Sequence, residues 1–380
     1  MESIQRTLTD IILHNLEPQK VQLVYGARRT GKTILLKQII EKYQGNVLTL
    51  NGEDIDTERV LEKRSIHNYR ELFKGYDLLV IDEAQHIADI GLKLKLIVDE
   101  IPGIRVIASG SSSFTLKDQS GEPLVGRSYQ YLLPPLSEEE IAAHSSAFDV
   151  IKAMDTRLIY GSYPEVVTMT DNNRRAEYLM DIVDAYLLRD ILAVDGIKNS
   201  DKMRDLLRLI AYQMGSEVSL EELGQQLSMS KNTVERYLDL LQKVFVLYRI
   251  GGYAKNLRKE ISKASKWYFY DNGIRNAILH DFKPFTLRNE SEKGLLWESY
   301  IMGERRKLIL NHRQHKEMYF WRTYDQQEID LIETDGDTIS AFEIKSGNKL
   351  PSAPLAFAKA YPEAQFQVIN IDNYMDYITH

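Results

Sequence analysis

The chain has 380 residues, which is too long for one compact core and predicts two or three domains. It has no cysteine, which excludes disulfides, thiolate catalysis and cysteine-ligated zinc, and its eight histidines show no spacing typical of a metal site. A net charge of −7 argues against a protein that coats nucleic acid non-specifically. No apolar run has transmembrane length, and the N-terminal residues lack a signal-peptide pattern, so we expect a cytoplasmic protein outside the membrane.

A phosphate-binding loop is the clearest motif. Residues 26–33 have the pattern G-x-x-x-x-G-K-T, after an apolar run at 21–25 and before a helix-like stretch at 34–42. Such a loop requires this order of strand, loop and helix. Backbone N–H groups would surround the phosphates of ATP, Lys32 would contact them and Thr33 would bind Mg²⁺. The expected nucleotide-binding residues are Gly26, Ala27, Arg28, Arg29, Thr30, Gly31, Lys32 and Thr33.

A second motif ends in two acids, Asp82 and Glu83, after the apolar run 78–81. Such a run is typical of a strand buried on both faces of a parallel sheet. Its carboxyl end would lie at the same edge of the sheet as the phosphate loop. Asp82 would hold Mg²⁺, directly or through water, and Glu83 would polarise the attacking water. The alternative is that these acids only cap the next helix.

Residues 1–144 alternate between strand-like and helix-like segments. Further strands are expected at 46–50, 103–109 and 128–133, which gives five in total. The alternation predicts an α/β fold, with a parallel sheet covered by helices on both sides. The fourth strand leads into a serine-rich turn, where Ser111 is a candidate sensor of the γ-phosphate. A turn without a functional role is the alternative.

Residues 20–140 resemble the AAA-type branch of phosphate-loop ATPases, in which the catalytic Glu directly follows the metal-binding Asp. More narrowly, the chain is similar to a prokaryotic group that joins such a domain to a C-terminal region of uncharacterised role with a restriction-endonuclease-like, PD-(D/E)xK fold. The motifs that carry the resemblance are 26–33, 78–85, Ser109-Gly110-Ser111-Ser112, Gly126-Arg127 ahead of 133–137, and Gly161-Ser162-Tyr163-Pro164.

The resemblance implies a homo-oligomer in which a neighbouring subunit lends an arginine to the γ-phosphate. Arg127 is the first candidate for this arginine, ahead of Arg105 and Arg189. A solvated surface arginine is the alternative at each position.

Residues 145–280 predict a helical linker followed by a winged helix. Two short amphipathic helices within 218–238 meet at a turn, with Ser230 as the cap of the second helix. Two β-rich runs, 244–253 and 267–270, would form the wing. Between 249 and 266 the chain has six basic residues and the single acid Glu260; the basic residues are Arg249, Lys255, Arg258, Lys259, Lys263 and Lys266. This excess favours contact with DNA phosphates, and packing against protein is the alternative.

Residues 281–380 contain a predicted hairpin with chemistry of its own. Strands at 327–333 and 339–345 flank Asp335-Gly336, a favoured two-residue turn. With this turn, Asp330 would face Ala341 across the ladder. Glu343 would be a diagonal neighbour of Asp330 on the same face of the sheet, together with Lys345.

This D…E-x-K pattern resembles the nuclease fold of restriction endonucleases, in which the acids bind Mg²⁺ and the lysine positions or activates the attacking water. Glu298, in a helix-like run upstream, matches the additional acid of that fold. The catalytic residues implied are Glu298, Asp330, Glu343 and Lys345, with Asp330 and Glu343 as metal ligands. The alternatives are a solvated sheet face with surface ion pairs and a retained fold without activity.

These patterns predict three domains: an AAA-type ATPase domain at 1–144, a helical and winged-helix domain at 145–280, and a nuclease-like domain at 281–380. We expect an oligomeric protein that hydrolyses ATP with Mg²⁺, associates with DNA and can cleave it. The alternative is a nucleotide-dependent switch that binds DNA or protein partners and cuts nothing.

Overall fold

The structure, a computed structural model, describes residues 3–110, 124–187, 200–254, 265–347 and 349–380. Some residues with predicted functions lie outside these ranges, namely Ser111, Arg189, Lys255, Arg258, Lys259 and Lys263. Contacts between residues divide the chain into two compact units. The first comprises Met1–Leu136, Lys243–Phe245 and Leu310–His312, and the second comprises Ser137–Gln242, Val246–Ile309 and Arg313–His380.

The first unit is an α/β structure. Its strands are β1 (Val21–Tyr25), β2 (Val47–Asn51), β3 (Leu78–Asp82), β4 (Arg105–Gly110) and β5 (Ser128–Leu132). Its helices are α1 (Leu8–His14), α2 (Lys32–Lys42), α3 (Ile55–Glu62), α4 (Ile66–Leu72) and α5 (Ile90–Glu100). Among the described residues, these five strands pair in parallel in the order β2-β3-β4-β1-β5. The predicted α/β fold with five parallel strands is confirmed for this unit.

Strand β1 illustrates why the sheet is buried on both faces. All five of its residues are buried. Val21, Leu23 and Tyr25 pack into one apolar cluster and Val24 packs into another, as expected from the two-residue period of a strand. Because β4 lies between β1 and β3, the carboxyl ends of β1 and β3 lie one strand apart at the same edge.

The second unit combines helices with a mixed sheet. Its strands are β6 (Glu217–Val218), β7 (Leu247–Gly252), β8 (Ser265–Phe269), β9 (Glu317–Arg322), β10 (Glu328–Asp335), β11 (Thr338–Ile344) and β12 (Gln365–Ile369). Its α-helices are α6 (Glu138–Ala142), α7 (Ala147–Tyr160), α8 (Pro164–Thr168), α9 (Asn172–Asp181), α10 (Ser200–Tyr212), α11 (Leu220–Leu227), α12 (Lys231–Lys243), α13 (Asn272–Leu279), α14 (Glu290–Asn311), α15 (Leu355–Ala360) and α16 (Tyr374–Thr379). A π-helical segment, Ile182–Leu187, follows α9.

Strands from both predicted C-terminal domains share one sheet. Among the described residues its order is β12-β11-β10-β9-β7-β8-β6. Strand β7 pairs with β8 on one side and with β9 on the other, so the hairpin predicted as a wing is continuous with the C-terminal strands. The domain boundaries at 144 and 280 stay predictions.

The segment predicted as a winged helix, which begins at Val218, contains α11, α12 and the β7–β8 hairpin. The hydroxyl of Ser230 accepts the N–H of Thr233 at 3.1 Å, so Ser230 caps α12 as the sequence predicts. Val234, Leu238 and Leu241 are buried on one side of α12, at the spacing of a helical face.

Candidate functional site

The phosphate loop connects β1 to α2 and curves around its own lysine. Gly31 has φ +96° where α2 begins, and Arg29 has φ +66°. The ammonium of Lys32 donates to the carbonyls of Gly26 and Ala27, at 3.1 and 3.0 Å. It therefore lies inside the loop, with only 5% of the residue exposed.

Two glycines at this edge are required by close backbone approaches. A Cβ on Gly26 would lie 2.4 Å from the carbonyl oxygen of Leu133. A Cβ on Gly52, just after β2, would lie 2.2 Å from the carbonyl oxygen of Glu83, and the Gly52 N–H donates to the Asp82 carbonyl at 2.8 Å. The sequence did not predict a role for Gly52, because its close contact arises only when β2 pairs with β3.

Asp82 lies between two hydroxyl groups. Thr33 Oγ1 donates to Asp82 Oδ2 at 2.7 Å, and the hydroxyl of the buried Ser109 donates to Asp82 Oδ1. The two predicted magnesium residues, Thr33 and Asp82, are therefore adjacent. Their oxygen atoms are the ligand type that Mg²⁺ takes in proteins, and the ion usually keeps several waters besides one or two such ligands. The residues thus fit the expected ion.

Ser109 comes from the carboxyl end of β4, the strand between β1 and β3. The sequence prediction placed a functional serine at Ser111, which lies outside the described residues. The signal that could have identified Ser109 is its position as the hydroxyl residue nearest the end of the central strand.

Glu83 has a constrained backbone and a fixed side chain. Its φ is +50°, a conformation uncommon for residues other than glycine, and its N–H is 3.2 Å from Ser109 Oγ. Its carboxylate accepts from Gln85 Nε2 at 2.5 Å. Glu83 makes no side-chain capping bond to the described turn Ala84–His86. Gln85 thus supports the Glu83 carboxylate, a contact that the sequence did not predict.

The C-terminal hairpin has a different register from the predicted one. Asp335 pairs with Thr338, so the turn is Gly336-Asp337 and the prediction of Asp335-Gly336 is wrong by one residue. Gly336 has φ +58°, which a tight hairpin turn requires. A one-residue shift of the turn moves the pairing by two, so each side chain keeps its face. Continuing the register places Asp330 opposite Glu343 instead of Ala341.

The predicted acids and lysine of this hairpin do lie together. Lys345 Nζ is 2.6 Å from Glu343 Oε1 and 3.9 Å from Asp330 Oδ2. The N–H of Ile344 donates to Asp330 Oδ2 at 2.8 Å. Asp330 is thus held by the neighbouring strand as well as by charge.

Helix α14 brings Glu298 to the same cluster. The guanidinium of Arg305, also on α14, forms a two-pronged ion pair with Glu333 of β10, at 2.6 and 2.9 Å, and both residues are buried. Such a fork fixes the helix on the strand. Glu298 accepts a hydrogen bond from the Tyr268 hydroxyl at 2.7 Å.

Strand β8 contributes two residues that the sequence prediction did not assign to this site. Tyr268 contacts Glu298, and the buried ammonium of Lys266 pairs with Glu328. Lys266 is one of the six basic residues whose excess predicts a DNA-binding wing. That expectation is wrong for Lys266, because its charge is buried against a carboxylate.

Burial, together with neighbouring charges, shifts the pKa values of this cluster. Burial, with the Asp330 carboxylate adding to it, raises the pKa of Glu298 to about 7. Burial also raises the pKa of Asp330 and of Glu343. Burial opposes the charge of Lys345, but its hydrogen bond to Glu343 and the charge of Asp330 outweigh this and raise its pKa. The cluster holds its acids in a partly desolvated site and keeps its lysines charged.

Among the described residues, no group of three or more histidine, aspartate or glutamate side chains converges as a metal ion would require. The cluster therefore presents Asp330 and Glu343 as its two facing carboxylates. Two carboxylates, completed by waters and substrate phosphate, form a donor set that Mg²⁺ accepts.

Models of three protein families match the chain. Residues 18–142 match the AAA domain family; residues 151–284 and 293–376 match two domains of unknown function, DUF8612 and DUF4143. The first match covers the phosphate loop, Asp82 and Glu83 described above. The N-terminal domain is an AAA-type P-loop ATPase domain.

Individual relatives extend over more of the chain. An uncharacterized protein of Methanocaldococcus jannaschii is 24% identical over 314 residues, covering 77% of this chain and 68% of its own length. An uncharacterized protein of Haemophilus influenzae is 24% identical over 284 residues, covering 68% of this chain and 69% of its own. Among solved structures, a Walker-type ATPase of Pyrococcus abyssi aligns with 72% of this chain and 94% of its own, with 15% identity and a TM-score of 0.48.

Arg127 lies away from the nucleotide site of its own ATPase domain. It precedes β5, whose first residue pairs with Val21 at the start of β1, so it is at the opposite edge of the sheet from the loop. Its Nε is 2.7 Å from Asp99 Oδ1, and 39% of its side chain is exposed. Arg105 begins β4 at the same opposite edge. Neither arginine can reach the phosphates of a nucleotide bound to its own chain. Action across a subunit boundary stays a prediction.

The surface beside α12 lacks a basic excess in the described residues. The groove between α11, α12 and the β7–β8 hairpin is lined by three basic and three acidic side chains, Lys231, Arg236, Arg249, Glu221, Glu235 and Asp239. Lys231 Nζ is already 2.6 Å from Glu221 Oε1. The expected DNA contact thus depends on basic residues outside the described ranges.

Within the described ranges, none of the helices is long and apolar enough to cross a membrane.

Proposed function

We propose that this chain hydrolyses ATP in its AAA-type domain and uses the cycle to control a DNA-directed C-terminal unit. The observation that carries the first part is the contact of Thr33 with Asp82 beside the loop that encloses Lys32. Thr33 lies in the first turn of α2 and Asp82 at the end of β3, so their contact supports a Mg²⁺ site beside the phosphates of a bound nucleotide.

Each residue would have a distinct task. Lys32 would exchange its two carbonyl contacts for the β- and γ-phosphates, and Thr33 and Asp82 would hold the ion. Mg²⁺, when bound, would offset phosphate charge as the terminal bond breaks. Glu83, oriented by Gln85, would hold the attacking water and accept its proton.

The test is a pair of variants that separate binding from hydrolysis. Lys32→Ala should lose nucleotide binding, since it removes the charge inside the loop. Glu83→Gln keeps size and shape without the basic carboxylate, so ATP should stay bound while turnover falls on the order of 100-fold. The matched control is Glu41→Gln, an exposed glutamate on α2, which should hydrolyse ATP at the parental rate. If Glu83→Gln hydrolysed ATP at the parental rate, another residue would have to position the attacking water.

The specific observation favouring a second activity is the cluster of Asp330, Glu343 and Lys345. We infer that it hydrolyses phosphodiesters with Mg²⁺ or Mn²⁺ held by the two acids. The ion would supply hydroxide and stabilise the leaving oxygen. Lys345 would offset charge on the scissile phosphate, and Glu298 on α14 would act as an additional acid beside the two metal ligands.

The rival function is a nucleotide-dependent switch whose nuclease-like unit only binds DNA or protein partners. A cleavage assay separates the two, using protein already shown to hydrolyse ATP, with single-stranded, duplex and branched DNA and with RNA. Each substrate is incubated with Mg²⁺ or Mn²⁺, without nucleotide, with ATP and with ADP. Cutting in any condition supports the nuclease; its absence in all of them favours the switch.

A further inference from the structure

Arg6, near the N-terminus, is a buried arginine with no assigned role. Only 2% of the residue is exposed. Its Nη1 donates to the carbonyl of Thr30 at 2.6 Å, and its Nη2 donates to the carbonyl of Pro134 at 2.8 Å. These charge-assisted hydrogen bonds offset part of the cost of burying the guanidinium.

Helix α2 fixes the segment that carries Arg6. Gln38 Oε1 accepts the backbone N–H of Arg6 at 3.0 Å and the hydroxyl of Thr9 at 3.1 Å. The amide nitrogen of Gln38 donates to the carbonyl of Ile4 at 2.8 Å. The chain before α1 is therefore held on the same helix that begins at the phosphate loop.

The carbonyl of Pro134 belongs to the segment 133–136, which ends the first unit's longest stretch, Met1–Leu136. The Leu133 N–H donates to the carbonyl of Tyr25 at 2.7 Å, and the Leu133 carbonyl leaves no room for a side chain on Gly26. This segment thus lies directly against the start of the phosphate loop. Pro134, the residue after Leu133, is linked through Arg6 to Thr30, near the other end of the loop.

The bond to Thr30 has a consequence for the loop. In a trans peptide the C=O and the following N–H point in opposite directions. Since the Thr30 carbonyl is directed at Arg6, the N–H of Gly31 points away from it. That N–H is one of the donors a phosphate loop uses.

We propose that Arg6 is a positioning residue of the nucleotide site. It holds the Thr30–Gly31 peptide in its phosphate-binding orientation and links the loop to the segment 133–136. This inference rests on ATP binding by the loop. It predicts that nucleotide affinity depends on Arg6, although Arg6 contacts no phosphate, and that bound nucleotide is sensed at 133–136.

The experiment compares Arg6→Met and Arg6→Lys in the full chain with Arg175→Met as the matched control. Arg175 also donates to two backbone carbonyls, those of Val166 and Met169, but in the second unit. The readouts are the affinity for a fluorescent ATP analogue with Mg²⁺, KM and kcat for ATP, and folding by circular dichroism. Hydrogen exchange of peptides covering 130–137 is followed with and without nucleotide.

We expect Arg6→Met to weaken nucleotide binding about tenfold, the loss of roughly one charge-assisted hydrogen bond, with a larger change in KM than in kcat. Arg6→Lys should recover part of the affinity, because an ammonium can reach one carbonyl. Nucleotide should slow exchange at 130–137 in the parent and in Arg175→Met, and much less in Arg6→Met.

The outcomes are separable. If the parent protein does not bind ATP, the proposed function itself fails. If the parent binds ATP and Arg6→Met binds it equally well, the inference fails alone. Should Arg6→Met not fold, a folded Arg6→Lys with parental affinity and parental exchange would overturn the inference.

Discussion

The nucleotide site and the C-terminal acidic cluster are built in opposite ways. The first joins one continuous loop to the carboxyl ends of adjacent parallel strands, and its acid Asp82 is held by the hydroxyls of Thr33 and Ser109. The second collects its residues from three separate parts of the chain, β8, α14 and the β10–β11 hairpin; they are Lys266, Glu298, Asp330 and Glu343. A site on one loop can be identified from a short motif, whereas a cluster on four elements exists only once the sheet and helix have packed.

The two sites also differ in how they treat charge. Hydroxyl groups surround the acid of the nucleotide site, so an incoming cation finds its ligands already arranged. In the acidic cluster, lysine ammoniums neutralise the carboxylates and burial raises their pKa values. Metal binding at the cluster would therefore compete with Lys345 and with protons.

The strongest test of this comparison removes the chemistry of one site alone. Glu343→Ala and Lys345→Ala should each abolish cleavage and leave ATP hydrolysis near the parental rate, because neither residue belongs to the ATPase domain. Asp337→Ala and Lys359→Ala, two exposed positions of the same unit, serve as controls and should cut normally. A joint loss of ATP hydrolysis and cleavage would show that the sites are not independent.

A second test asks whether the nucleotide site is complete within one chain. If Arg127 acts in trans, Arg127→Ala should lower ATP turnover by about 100-fold or more, since such arginines contribute 10³–10⁵ in related enzymes. Mixing it with Lys32→Ala should restore part of the rate. Asp99→Asn removes the partner of Arg127 within the chain but keeps the arginine, and should stay active. Mixed oligomers without restored turnover would count against the trans role.

The third test uses pH, to which the acidic cluster should respond. The pKa of Glu298 rises from 4.5 to about 7 in the folded chain. Between these values the folded state holds more protons than the unfolded state, so stability falls as pH rises from about 4.5 to 7. Glu298→Gln lacks this loss, and should gain about 3 kcal/mol over the parent at pH 8 but less than about 1 kcal/mol at pH 5.

Urea unfolding at both pH values measures this difference. Glu290→Gln, an exposed glutamate on the same helix, is the control and should follow the parent. A stability gain for Glu298→Gln that is equal at pH 5 and pH 8 would contradict a raised pKa in the folded state.

The smallest expected effect concerns the hairpin between β7 and β8. Replacing Lys255, Arg258 and Lys259 with Glu should weaken DNA binding and make it less dependent on salt. Each lost phosphate contact reduces the slope of log K against log salt concentration by about 0.9. Lys266 is left unchanged, since it pairs with Glu328. Binding that keeps its affinity and slope would leave the hairpin as a packing element.

Local patterns determined much of the ATPase domain. The G-x-x-x-x-G-K-T loop, the apolar run before Asp82 and the five strands were predictable because each depends on neighbouring residues, and parallel strands bring their carboxyl ends to one edge without further information. The same reasoning placed Asp330, Glu343 and Lys345 on one face, since a strand alternates its side chains with a period of two.

Tertiary structure decided the rest. Asp335-Gly336 and Gly336-Asp337 are both acceptable turns, and a pairing shifted by two leaves the alternation of faces unchanged, so only the packed hairpin selects Glu343 as the partner of Asp330. Arg6 belongs to no motif, and no sequence pattern predicted the contacts that Ser109, Lys266 and Tyr268 make at these sites. Their contacts involve residues 24 to 128 positions away along the chain, and such contacts depend on how the elements pack rather than on any local pattern.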